Sequence, residues 1–69
     1  MRNTSSRLDR KAQKKLAILK SAAAVFRRRG YYGASVSAIA RAVHMTTPNL
    51  YYYFRNKEEI LYFCHDYSL

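Results

Sequence analysis

Apolar side chains recur at steps of three and four residues through the first half of the chain, from about Asp9 onward. The recurring positions are Leu16, Ile18, Leu19, Ala22, Val25 and Phe26. This spacing predicts an amphipathic helix, and Gly30 predicts its end, because glycine forms a C-terminal cap without strain. Residues 1–8 are polar, basic and without period, so we expect a flexible basic arm before a folded unit over residues 9–69.

A second, shorter helix is predicted after a brief connector. Ser35 is a favourable N-cap for a helix over residues 36–43, because its hydroxyl can accept a hydrogen bond from the first turn. On that helix Ser37 and Arg41 lie together, one turn apart and away from the apolar side. His44-Met45 then forms a tight turn.

Two more helices follow this turn. The third is predicted to start at Thr46 or Thr47, with Pro48 in its first turn, where the missing N–H group is not needed. A residue before proline avoids the α region, so Thr47 is the alternative N-cap to Thr46. The fourth follows Asn56, with Glu59 three residues later in the pattern of a capping box. The side chains expected to face the core are Ile60, Leu61 and either Phe63 or Cys64.

The third helix has distinct inner and outer sides. At about 100° per residue, Leu50 and Phe54 define the inner side, and Tyr51 and Tyr53 lie on the two flanks. The outer side carries Pro48, Asn49 and Tyr52. A displayed second helix after a tight turn is typical of a helix-turn-helix that enters the DNA major groove. We therefore predict an all-α fold, a small helical bundle with a helix-turn-helix, in which a three-helix DNA-binding unit precedes the start of a fourth helix.

The chemistry of the outer side suits base edges. Asn49 can pair bidentately with adenine, while Pro48 and the edge of Tyr52 can contact a thymine methyl group. The flanking hydroxyls of Tyr51 and Tyr53 point toward the two groove walls, where phosphates lie. The alternative for the tyrosines is core packing with solvated hydroxyls, and Tyr53 is the one expected to be partly buried.

The formal net charge of +9 comes entirely from the first part of the chain. Residues 1–29 contain ten basic residues and one acid, whereas residues 30–69 contain three of each. Such a basic lobe favours a polyanion, although a solvated surface that keeps the domain soluble is the alternative. Arg2, Arg7 and Arg10 are candidates for an arm that contacts phosphates or the minor groove. The lysines that open the first helix lie at the end where its dipole disfavours cations, which indicates a phosphate partner or fraying.

Little in the chain supports catalysis or metal binding. Two histidines, one cysteine and four acids form no spaced constellation, and Cys64 and His65 diverge by about 100° on a helix. We therefore expect no enzyme activity, no metal and no cofactor. No apolar run approaches the roughly 20 residues that span a bilayer, and no signal-peptide core follows the basic start. We expect a reducing, intracellular compartment, a buried Cys64 and no membrane partner.

Together these residues resemble a known family. Over roughly residues 15–62 the chain is similar to the N-terminal DNA-binding domain of TetR-type transcriptional regulators. The resemblance rests on Ile18-Leu19 through Ala22, Val25-Phe26, Gly30-Tyr31, Ser35-Val36, Ile39-Ala40, Leu50-Tyr51-Tyr52-Tyr53-Phe54 and Lys57-Glu58. It implies sequence-specific binding of double-stranded DNA by a regulator, most often a repressor that occupies a promoter operator and blocks polymerase.

The resemblance also implies which residues contact DNA. The base-facing set is Ser37, Thr47, Pro48, Asn49 and Tyr52, to which we add Arg41. The phosphate-facing set is Ser35, Tyr51, Tyr53 and Lys57, to which we add Thr46. The chain departs from the family at His44, where a glycine is usual in the turn, although histidine tolerates positive φ better than most residues. It also departs at Pro48, which replaces a frequent glycine.

Members of the family continue into a helical domain that dimerises and binds a small effector, and none of it lies within these 69 residues. We therefore expect this chain to be the DNA-binding part of a longer regulator. Duplex DNA is its own expected partner, while a homodimer and a small-molecule effector are expected only through the missing domain. The expected location is the bacterial cytoplasm, at the nucleoid.

Two functions of other classes remain open. The basic first helix is an anionic-membrane-surface module if it keeps a broad apolar face bare. The tyrosines of the third helix are a protein-interaction surface if duplex DNA is not their partner.

Overall fold

The computed structural model describes residues 6–69, with side chains described from residue 9 onward, and each regular element in that range is an α-helix. The helices are α1 (Ser6–Gly33), α2 (Val36–Ala42), α3 (Thr47–Tyr53) and α4 (Lys57–Asp66). α1 packs against both α2 and α4, and α2 packs against α3. The predicted all-α bundle with a helix-turn-helix is confirmed.

The first helix is longer than its apolar pattern indicates. It begins at Ser6, three residues before the predicted start, so Arg7 and Arg10 belong to its first turns rather than to an arm. Arg10 is exposed. Arg2 and the rest of the predicted arm lie outside the described residues.

One apolar face of each helix contributes to a single core. The buried side chains are Ile18, Leu19, Ala22, Ala23 and Val25 of α1, then Ala34, Ile39, Ala40, Leu50, Phe54, Ile60 and Cys64. Leu50 is 0% exposed and Phe54 is 1% exposed, so the predicted inner side of α3 is confirmed. On α4, Cys64 rather than Phe63 is fully buried, and Leu61 is only half-buried. No charged or polar side chain of the described residues is buried.

Cys64 packs as a small apolar residue, as predicted. Its Sγ lies 3.5 Å from the carbonyl oxygen of Leu19, to which the thiol donates. Burial raises the pKa of the Cys64 thiol above its ordinary value, and the nearby Arg27 only partly opposes this. The side chain is therefore a neutral thiol at physiological pH, and a neutral thiol is a poor nucleophile.

Each helix of the second half begins with a side-chain cap. The Ser35 hydroxyl accepts from the Ala38 N–H at 3.0 Å. The Asn56 side chain accepts from the Glu59 N–H at 2.8 Å. The Glu59 carboxylate accepts in return from the backbone of Arg55 at 2.7 Å, one residue earlier than in a standard capping box.

Thr46, and not Thr47, is the N-cap of α3. The Thr46 backbone is extended, and its hydroxyl accepts from the Asn49 N–H at 3.3 Å. A cap at Thr47 would use the Leu50 N–H, but that group already donates to the Thr46 carbonyl at 3.0 Å. Thr47 is therefore the first helical residue, despite the proline that follows it.

The turn between α2 and α3 depends on His44. Its φ is +59°, in the left-handed region where histidine is better tolerated than most side chains. This conformation lets the Met45 N–H donate to the Ala40 carbonyl at 2.8 Å. Histidine thus takes the place of the family's glycine without loss of the turn.

Gly30 interrupts α1 at the position where the sequence predicts its end. Its φ of +75° and ψ of 167° lie in a region open almost only to glycine. The chain then forms one further helical turn through Gly33, where the sequence predicted a plain connector. That turn delivers the buried Ala34 to the core just before α2.

We predict that Gly30→Ala lowers the free energy of unfolding by about 1–3 kcal/mol, because a Cβ makes this backbone conformation costly. There is open space around the position, so the cost is conformational and not a clash. Gly33→Ala is the matched control, since Gly33 has no positive φ and its Cβ would meet only the Arg29 Cβ at 3.3 Å. Urea denaturation followed by circular dichroism measures both. Equal stability of Gly30→Ala and the parent would show that the kink is not under conformational constraint.

Candidate nucleic-acid interface

α3 displays the side chains that the sequence placed on its outer side. Tyr52 is 68% exposed, and Pro48 and Asn49 are also exposed. Of the two flanking tyrosines, Tyr51 is 48% exposed whereas Tyr53 is half-buried, as predicted. The helix therefore presents an amide, a proline ring and two phenols to solvent while its opposite side is sealed in the core.

The outermost ring of α3 is held by its neighbours. The ring of Tyr52 meets Tyr53 edge-on, with centroids 5.0 Å apart and planes at 89°. The ammonium of Lys11 lies 4.8 Å from the centroid of the Tyr52 ring. A cation over an exposed ring contributes about 0.5–1 kcal/mol. Tyr52 is thus positioned from α1 although it projects into solvent.

Aromatic contacts give the front lysines of α1 a role that the sequence analysis missed. Lys15 lies 5.4 Å from the Phe54 ring and 5.6 Å from the Phe63 ring. Together with Lys11 over Tyr52, these contacts give two of the lysines near the start of α1 partners within the fold. Lys11 and Lys15 are four residues apart, so they lie on one side of α1. That spacing is visible in the sequence, but the rings they meet are not.

A cleft of about 420 Å³ opens between α1 and α3. It is lined by Lys14, His44, Met45, Asn49, Tyr52 and Tyr53. The cleft brings one α1 ammonium beside an amide and two phenols of α3. Lys14 of α1 and the displayed side of α3 therefore line the same cleft.

The start of α2 carries two exposed hydroxyls. Ser35 Oγ and Ser37 Oγ are 3.2 Å apart, so they share a hydrogen bond. Ser35 also caps the helix, which fixes its oxygen at the helix end. Thr46 is exposed at the start of α3, whereas Thr47 is half-buried.

Lys57 joins α4 to the end of α1. Its Nζ donates to the Tyr31 carbonyl oxygen at 2.7 Å and lies 4.1 Å from the centroid of the Tyr31 ring. The sequence indicated only a phosphate contact for this residue. An ammonium has three donors, so two remain for a second acceptor. Lys57 is half-buried, and its position is fixed by the fold.

The neighbouring phenol is tied to the same helix end. Burial, followed by the negative charge of Glu58 and a hydrogen bond from the phenol to that carboxylate, raises the pKa of Tyr31. Tyr31 therefore remains protonated at neutral pH and keeps its donor. The ring of Phe26 stacks on it at 5.9 Å.

Arg41, which is predicted to face bases, is exposed on α2. It lines a cleft between α1 and α2 with Arg28 and Arg29, and no residue of α3 lines that cleft. The sequence correctly placed Arg41 on the exposed surface of α2, one turn from Ser37. It did not show that two arginines of α1 meet it there.

The described residues contain neither a metal site nor a membrane-spanning helix. Within residues 6–69, no group of three or more histidine, cysteine, aspartate and glutamate side chains is arranged to hold a metal ion. In the same range, none of the helices has the length and hydropathy required to cross a membrane. The apolar face of α1 is buried in the core.

Comparison with known proteins gives one match. A model of the family described as "Bacterial regulatory proteins, tetR family" matches residues 18–62, about two thirds of the chain. The matched segment runs from the middle of α1 into α4 and contains the whole helix-turn-helix. No curated protein and no solved structure gives a significant match.

The two adjacent threonines allow a matched test of how α3 is held. We predict that Thr46→Ala lowers the free energy of unfolding by about 1 kcal/mol, because the Asn49 N–H loses its acceptor. Thr47→Ala is the control, since Thr47 caps nothing, and we expect it to change stability by less than half as much. Thermal and urea unfolding measure both variants. A larger loss of stability from Thr47→Ala than from Thr46→Ala would show that Thr47, and not Thr46, is the N-cap.

Proposed function

The chain belongs to the tetR family of bacterial regulatory proteins, and from this premise we propose that it reads specific double-stranded DNA for a transcriptional repressor. Membership of a regulatory family supports DNA binding rather than catalysis. The observation that carries the finer proposal is the exposure of Asn49 and Tyr52 on a helix anchored by Leu50 and Phe54. A rigid helix with a polar outer side suits the major groove, where the base pairs differ in their donors and acceptors.

We assign base recognition to the outer side of α3 and to the neighbouring start of α2. Asn49 is the principal reader, because its amide can both donate to and accept from adenine. Pro48 and Tyr52 supply apolar contacts for a thymine methyl group. Ser37 and Thr47 are assigned secondary contacts, since one is a single exposed hydroxyl and the other is half-buried.

We assign the phosphates to groups that flank this surface on several helices. They are the hydroxyls of Ser35, Thr46, Tyr51 and Tyr53 and the ammonium of Lys57. Proposed contacts of Arg2, and of Arg7 and Arg10 in the first turns of α1, extend the set toward the minor groove. Phosphate contacts fix orientation without reading sequence, so this set provides affinity and register. The concentration of positive charge before residue 30 supports the same division.

We further propose that repression is steric, with the occupied operator closed to polymerase. Two such units would act as a homodimer, held by a helical domain outside this sequence that also binds a small effector. An apolar cleft of about 210 Å³ between α1 and α4, lined in part by Phe26, Leu61 and Leu69, supports the docking of further protein on that side. A cytoplasmic location at the nucleoid follows from this role.

The base-reading and phosphate-contacting roles separate in a pair of variants. We expect Asn49→Ala to reduce the free energy of binding to the preferred duplex by about 1–3 kcal/mol. On a duplex changed at the base pair that Asn49 reads, we expect almost no loss of binding. We expect Tyr51→Phe to weaken binding to both duplexes equally, because a phosphate contact carries no sequence information. Fluorescence anisotropy at one fixed salt concentration measures all six affinities, those of the parent and the two variants for each duplex.

Thermal unfolding of both variants is the control, since each changed side chain is exposed and stability should be retained. A uniform loss from Asn49→Ala would remove its base-reading role. Binding of duplex DNA no better than heparin, with no effect from either variant, would favour a protein partner for the tyrosine surface.

A further inference from the structure

Three arginines from two helices converge on one open cleft. The cleft has a volume of about 170 Å³ and lies between the end of α1 and α2. Its apolar floor is formed by Val25, Ala38 and Ala42, and its charged rim by Arg28, Arg29 and Arg41. All three arginines are exposed. We call this group the arginine cleft.

The described carboxylates are committed elsewhere. Glu59 lies 3.9 Å from Arg55, and Glu58 is close enough to Tyr31 to raise the pKa of that phenol. Asp66 is the last residue of α4. Asp9 is 19 residues from Arg28 along α1, or roughly 28 Å at 1.5 Å per residue. None of the four lines the arginine cleft. The three arginines therefore line the cleft without an acidic side chain among its lining residues.

Helix dipoles account for only part of this charge. Arg28 and Arg29 precede the break in α1 at Gly30, and Arg41 lies in the last turn of α2, at a helix C-terminus. Each such end carries about half a negative charge. The end of α2 therefore stabilises Arg41 in part, and the cleft remains strongly positive.

We propose that the arginine cleft binds a phosphate group. A planar guanidinium donates two parallel hydrogen bonds to a phosphate, which makes arginine the usual residue for this ligand. The volume is sufficient for a phosphate and a few waters, because one water takes about 30 Å³ of liquid volume. A phosphate monoester carries about −1.5 to −2 charges near neutral pH, opposite in sign to the arginines.

The same chemistry is offered by two sources. One is a backbone phosphate of DNA, since Arg41 lies one turn from Ser37 on α2, and this source rests on the proposed DNA binding. The other is a free phosphorylated small molecule, which requires no DNA. The experiment below has one arm for each source.

The first arm is a titration of the whole chain with inorganic phosphate, followed by NMR of the arginine Nε–H groups at constant ionic strength. The test variant is Arg28→Gln, Arg41→Gln. The control is Lys20→Gln, Arg27→Gln, which removes the same charge from exposed sites outside the cleft. We expect the test variant to bind phosphate about tenfold more weakly than the parent and the control to bind like the parent.

The second arm compares the salt dependence of binding to a duplex of about 20 base pairs. Each phosphate contact contributes about 0.9 to the slope of log affinity against log salt. If the cleft holds a DNA phosphate, the slope of the test variant falls by about that amount below the slope of the control. Equal slopes, with the phosphate titration positive, assign the cleft to a free phosphorylated molecule.

Phosphate binding that is equal in the parent, the test variant and the control overturns the proposal. If the parent does not bind duplex DNA, the proposed function fails, but the phosphate titration still decides whether the cleft is a site. Circular dichroism of both double variants confirms that the fold is retained, because all four residues are exposed.

Discussion

The burial of Leu50 and Phe54 is the constraint on which the displayed surface depends. α3 has only seven residues, and an isolated helix of that length is not stable in water. It exists because these two side chains are 0% and 1% exposed in a core shared by all four helices, and because Thr46 satisfies one of its first N–H groups. The same anchors set the rotation of α3, so Asn49 and Tyr52 must face solvent. Loss of either anchor would disorder the surface as well as the core.

α1 supports this surface with both of its sides, one apolar and one basic. Its apolar side supplies five buried residues to the core, while its basic side makes contact with the other helices. Lys11 lies over the ring of Tyr52 in α3, and Lys15 lies over the ring of Phe54, which follows α3. Nearer the other end of α1, Arg28 and Arg29 line a cleft together with Arg41 of α2. Lys57 closes the arrangement by joining α4 to the Tyr31 carbonyl. The positive charge is therefore part of the packing and also available to a polyanion.

The features predicted correctly from the sequence are those set by neighbours along the chain. The caps at Ser35 and Asn56 and the inner and outer sides of α3 follow from local hydrogen bonds and helical spacing. The features that were missed join residues far apart, such as Lys57 with Tyr31, 26 residues away, and the three arginines of α1 and α2. The sequence pattern also left open whether Thr46 or Thr47 is the N-cap of α3, because the choice depends on which group accepts the hydrogen bond from the Leu50 N–H. The DNA contacts assigned here remain predictions.

The measurement that tests the account most directly is selection of binding sites from a randomised duplex library by the parent chain and by its Asn49→Ala, Tyr51→Ala variant. Both side chains are exposed, so the variant keeps its core and its basic α1. We expect the parent to enrich a short motif and the variant to enrich none. Equal, salt-sensitive retention of all sequences by both proteins would contradict this expectation, because the basic lobe alone would then account for DNA binding.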